Sequence, residues 1–141
     1  VKRGDKVVVA HLCNGSLGHV VIPPEELIPM RANEAREAGK LAGIEVIGGV
    51  FDDLDIYSDN AESRNKVVEI IQYAQPDFII THSPTDYMPD HREVSKLVFD
   101  ASFVASCPQY GNGGNRGHWG SMFNCITNRI RLCGHQHPYH L

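Results

Sequence analysis

PDFIITHSPTDYMPDH, residues 76–91, passes through three kinds of chain in one short stretch. The run Phe78-Ile79-Ile80 ends at Thr81. A polar, turn-forming segment then reaches Pro89, where helical spacing begins. Phe78 to Thr81 reads as a short strand, because an aromatic and β-branched run is followed at once by turn formers. Pro89 suits the first turn of a helix, where its missing N–H has no partner to lose. From there to Ala105, Val94, Leu97, Val98, Ala101 and Val104 fall on one stripe. A strand feeding a helix in this way is half of a β-α unit, so the rest of the chain has to supply parallel neighbours.

It does so on the N-terminal side. Lys6 to Leu12 is a nearly continuous β-branched run bounded by Gly4 and by Asn14-Gly15, the pattern of a strand buried on both faces. Residues 13–28 are loop-like. Met30 to Ala42 carries helical spacing, opened near Pro29 and stopped by Gly43. Ile44 to Ile47 is a second short strand, closed by Gly48-Gly49, and Phe51 to Asp55 is an acidic loop. Asn60 is the expected N-cap of a helix that buries Val67, Val68, Ile71 and Ala74 and stops before Pro76. Strand and helix alternate three times. The expected fold class is therefore α/β, a Rossmann-like three-layer sandwich with a mostly parallel sheet. Ligands of such sheets sit beyond the carboxyl ends of the strands. The loops there hold Asn14 and Gly15, Asp52 and Asp53, and residues 81–91.

The remaining bounds are broad. A chain of 141 residues with 42% apolar and 21% charged residues has the balance of one globular domain. A net charge of −4 calls for neither nucleic acid nor an anionic membrane as partner. Every apolar run falls short of the roughly 18 residues that a membrane span needs. The four cysteines, Cys13, Cys107, Cys125 and Cys133, lack the density of a disulfide framework, and the expected compartment is the cytoplasm.

Thr81, His82, Ser83, Asp86, Asp90 and His91 give the 81–91 loop more titratable and hydrogen-bonding capacity than a turn needs. A histidine held in a helical first turn is a candidate zinc ligand, with a neighbouring carboxylate to orient its ring. One histidine is not a site, since catalytic zinc uses three protein ligands. The alternative is that Asp90 favours the helix N-terminus through its charge and His91 is a surface residue. His82 is either a hydrogen-bonded residue at a strand end or a participant in catalysis.

RGDKVVVAHLCNG, MRANEAREAGKLAGIEVIGG and PDFIITHSPTDYMPDH, in this order and spacing, resemble the PIG-L/LmbE-like deacetylases over about residues 2–108. The resemblance implies a zinc-dependent (Zn2+) hydrolase that removes an N-acetyl group from an amino sugar such as N-acetylglucosamine or a related glycan. It implies that His91 ligates the metal and that Asp90 is the carboxylate beside it. It places Arg31, Asn14, Gly15 and Asp53 (or Asp52) on the substrate side; Tyr87, in the loop that leads to His91, is a further candidate for substrate binding. Partners would be the small-molecule or glycan substrate, with oligomers allowed.

Two departures qualify this. Met88 stands where most of the family has the leading histidine of an HPDH motif, and a thioether can neither donate nor carry a proton. His82 is the nearest substitute in sequence for that acid role. The family's AHPDD motif, which carries further zinc ligands and the general base, has no counterpart here, so the chain reads as a piece that starts one strand and one helix late. One ligand of three would remain, and the piece alone is expected to be inactive, without tight zinc binding. Its sheet is expected to be incomplete at the N-terminus and at the C-terminus.

The second region, 109–141, reads as an irregular tail after a partial deacetylase domain at 1–108. All seventeen acidic residues lie at or before Asp100, whereas three of the four cysteines and four of the eight histidines follow Ser106. A frame error or artificial terminus near Gln109 to Asn115 would account for that break. The rival from another class is a non-catalytic carbohydrate- or nucleotide-binding α/β module.

Overall fold

A computed structural model of the chain describes residues 4–107, 109, 110 and 130–133. The chain divides into two compact units, Val1–Ile56 and Tyr57–Leu141.

The first unit is a β-α-β crossover. β1 (Val8–Cys13) runs parallel to β2 (Glu45–Phe51), with Val8 opposite Glu45, Val9 opposite Val46 and Ala10 opposite Ile47. Between them lies α1 (Pro24–Ala42). This helix starts earlier than its spacing suggests. Pro24 occupies its first turn, Glu25 and Glu26 put negative charge where N–H groups point out, and Pro29 lies inside it. Gly43 ends it in the left-handed conformation at φ 67°. Gly39, buried on α1, lets the helix approach β2: a Cβ there would stand 2.6 Å from Val46 Cγ2.

Two expectations for these strands are corrected. β2 does not close at Gly48-Gly49 but continues to Phe51; Gly49 takes φ 72°, and the register slips between His11 and Cys13 at the same level. A glycine that tolerates positive φ allows an irregularity of this kind without ending the strand. β1 is not covered on both faces: Leu12 is buried, but Ala10 and His11 are exposed. In this unit α1 packs against β2 of a two-stranded sheet.

The second unit contains α2 (Ala61–Ala74), β3 (Ile79–His82), α3 (Pro89–Ala105) and β4 (Ile130–Cys133). Asn60 caps α2 as its residue type demands, its side chain accepting the N–H groups of Glu62 at 2.8 Å and Ser63 at 3.4 Å. α2 and α3 pack together, and Val67, Val68 and Ile71 on one and Val94, Leu97, Val98, Ala101 and Ala105 on the other are buried. At about 1.5–3 kcal/mol for each large aliphatic side chain removed from water, this apolar seam is the main source of the unit's stability. α3 also packs on β3, which fixes the helix start beside the strand end. β4 pairs parallel with β3, Ile79 opposite Ile130 through His82 opposite Cys133. That strand lies where the sequence suggests only irregular chain. Most of the tail, with Cys125 and the four histidines that follow Ser106, lies outside the described residues. Among the described residues no helix is long and apolar enough to cross a membrane.

Candidate metal centre

His82 is the last residue of β3 and His91 sits in the first turn of α3. The connection folds back between them through a chain of local bonds. Asp86 N–H donates to Ser83 O at 3.2 Å, closing a turn with Pro84 at its second position, and Thr85 N–H donates to Ser83 Oγ at 3.3 Å. Asp86 Oδ1 accepts Met88 N–H at 2.9 Å, so one carboxylate oxygen orients the entry to α3.

The other oxygen of Asp86 stands 3.1 Å from His91 Nδ1. Donor atoms of His82, Asp86 and His91 all lie within 4.8 Å of one another. The two imidazoles are stacked, centroids 3.9 Å apart and planes 11° from parallel. His91 Nδ1 is buried, and its contact with Asp86 lacks the alignment of a hydrogen bond; among the described residues it shares that unsatisfied state with Arg64 Nε of α2.

The electrostatics favour the metal-binding protonation states. Burial, and then the charge of a protonated His91, pushes the pKa of His82 below 6.5, with Asp86 pulling the other way. The neutral ring, the form that ligates metals, is thereby favoured. The carboxyl of Asp86 lies below its ordinary value, first because of the Met88 N–H and then because of the His91 side chain. Two imidazoles and one carboxylate are a donor set suited to a catalytic divalent cation. The unsatisfied Nδ1 and the grouping of three donors fit such an ion, where the sequence alone offers His91 as the one ligand, with no tight zinc binding expected.

Of the residues expected from sequence, His82 and His91 are brought together; Asp90, adjacent in α3, is not part of the group. Tyr87 is 87% exposed beside it. In the first unit Asn14, Gly15, Arg31 and Asp53 form a second cluster. Asp53 accepts Gly15 N–H at 2.8 Å through one oxygen and Leu17 N–H at 2.9 Å through the other. Asn14 Nδ2 donates to Asp52 at 2.5 Å. Gly15, at φ 75°, lies against Arg31, whose Cγ would be 3.1 Å from an added Cβ. Arg31 itself pairs with Glu34 at 2.7 Å.

Asp86 is the donor that sequence reasoning left without a role. The spacing His82-x3-Asp86-x4-His91, across a strand end, a turn and a helix start, is the signal that would have found it.

The chain resembles several solved structures. Similarity to a conserved protein from Thermus thermophilus extends over 99% of this chain and 57% of that one, at 22% identity and TM-score 0.73. The N,N'-diacetylchitobiose deacetylase of Pyrococcus horikoshii matches over 93% and 50%, at 19% identity and TM-score 0.72. GalB, the 4-carboxy-2-hydroxymuconate hydratase of Pseudomonas putida, matches over 82% and 52%, at 21% identity and TM-score 0.70. These likenesses show a shared fold, and the chain spans about half the length of each of the three structures. None of the curated proteins compared matches it. The model of the PIG-L family, GlcNAc-PI de-N-acetylase, matches residues 1–102, and the chain belongs to that family.

Proposed function

We propose that the complete protein is a zinc-dependent N-deacetylase acting on an amino sugar or related glycan, with His82, Asp86 and His91 as donors to the metal. The observation that carries this reading is the convergence of those three donors, with His91 Nδ1 buried and unsatisfied, in a chain of the PIG-L family. The likeness to a chitobiose deacetylase agrees with it.

A divalent cation held there would polarise an amide carbonyl and make water more acidic. The protein's own part is to favour the neutral ring of His82 and the ionised carboxylate of Asp86, the forms in which these two groups ligate a metal. Asp90, next to His91, is the carboxylate that family resemblance sets beside the ligating histidine, and we assign it the handling of protons. Tyr87 offers an exposed aromatic face to a sugar ring at the rim. Asn14, Gly15 and Arg31 would contribute to substrate binding. Both oxygens of Asp53 already accept backbone N–H groups, so its contribution is to hold the loop that carries Asn14 and Gly15.

The rival reading is a binding module without chemistry. It is favoured by Met88, which enters α3 at its N-cap position with a side chain that makes no capping bond and can supply no proton. Release of acetate and a free amine from N-acetylglucosaminides by the full-length protein separates the two. Metal-dependent release supports the deacetylase, whereas sugar binding without release supports the module.

A further inference from the structure

The side-chain hydrogen bonds of Arg92 run to main-chain oxygens rather than to the three donor side chains, yet they tie together the segments that carry two of them. It follows His91 in the first turn of α3, and its Nη1 turns back over the loop to donate to the main-chain oxygens of Asp86 at 2.8 Å and Tyr87 at 2.9 Å. The backbone of Asp86 is thus bonded to the same helical turn from which His91 projects. The side chain of Asp86 is held independently, by Met88 N–H on Oδ1. With backbone and one oxygen both fixed, the second oxygen has little freedom, and it stands 3.1 Å from His91 Nδ1.

We propose that Arg92 is a positioning residue for a divalent-cation site formed by His82, Asp86 and His91, acting through the main chain of Asp86 and Tyr87. This rests on the reading of those three residues as metal donors.

The sign of the effect separates positioning from simple charge. A guanidinium close to a bound cation repels it, so if charge were its only influence, removing Arg92 would tighten cation binding. If Arg92 holds Asp86 in place, removing it weakens binding, by the tenfold to roughly hundredfold typical of residues that orient metal ligands. Lysine keeps the charge and three donors but not the planar fork, and should recover part of the loss.

The test is a titration of the 141-residue chain with Co2+, followed by its visible absorption and by competition with Zn2+, with circular dichroism to confirm folding. The proteins are the wild type, Arg92→Ala, Arg92→Met, Arg92→Lys and, as a charge control elsewhere on α3, Lys96→Ala. The expected result is about tenfold or greater weakening in Arg92→Ala and Arg92→Met, a smaller loss in Arg92→Lys, and no weakening in Lys96→Ala. Arg92→Met, which keeps the side-chain stem, decides the matter should the alanine variant not fold. Affinity unchanged or raised in these two variants, with Co2+ bound by the wild type, overturns the role of Arg92 and leaves the cation site standing. A wild type that binds no Co2+ overturns both.

Discussion

The imidazoles of His82 and His91 stack face to face, 3.9 Å between centroids, although one ends a strand and the other opens a helix. Two protonated rings at that separation would repel, which is one of the causes holding His82 below its ordinary pKa. A histidine whose pKa falls on folding binds fewer protons in the native chain than in the unfolded one. Its stabilising contribution is complete above pH 6.5 and is lost as pH falls through the lowered folded value. Urea midpoints of the metal-free chain measured above and below pH 6.5 should therefore drop on the acid side, and His82→Asn should flatten that drop. An equal drop in the variant would assign the pH dependence elsewhere. Asp86, with a carboxyl pKa below 3.8, adds its own loss only at still lower pH.

Asp86→Asn separates the two tasks of that side chain. An amide oxygen can still accept Met88 N–H, so the turn and the start of α3 should survive, with a change in stability within about 1 kcal/mol. The negative charge facing His91 is gone, and Zn2+ affinity should fall tenfold or more. Far-ultraviolet circular dichroism together with Zn2+ titration checks both halves. Unchanged affinity would remove Asp86 from the donor set.

Leu97 is fully buried on α3, in the helix that carries His91. Leu97→Ala should cost about 2–5 kcal/mol in chemical denaturation, as lost apolar burial and the cavity left behind add up. A cost under about 1 kcal/mol would mean that the α2–α3 seam is not the core of its unit.

Gly39→Ala sets two effects against each other. Alanine gains about 1 kcal/mol of helix propensity over glycine. Its Cβ, however, meets Val46 Cγ2 at 2.6 Å and Ile44 O at 3.3 Å, a short branched side chain and a backbone atom that have little room to yield. Overpacking of about 1–3 kcal/mol wins, and the substitution should destabilise. Adding Val46→Ala should recover part of the loss; a double-mutant cycle with no coupling would refute that contact.

Much of the fold was legible because it rests on local signals. Asn60 caps α2, Pro89 opens α3, and Val94, Leu97, Val98 and Ala101 are buried along the stripe that their spacing marks. The early start of α1 was hidden because Pro29 looks like a helix opening, while Pro24 is the one that occupies it. β4 was not legible: Ile130 to Cys133 is a four-residue strand identified by its pairing with β3, and pairing is not written in local sequence. At the candidate centre His91 stood out through Pro89-Asp90-His91. Asp86 did not, because its place beside His91 depends on a turn closed by Ser83 and on the bonds from Arg92, none of which has a periodic signature.

The most direct test of the account is calorimetric titration of the metal-free chain with Zn2+, repeated for His82→Ala, Asp86→Asn and His91→Ala. One equivalent bound by the wild type, with affinity reduced tenfold or more in each variant, is the result predicted for a three-donor site. Absence of binding by the folded wild type, or binding indifferent to all three substitutions, would contradict it.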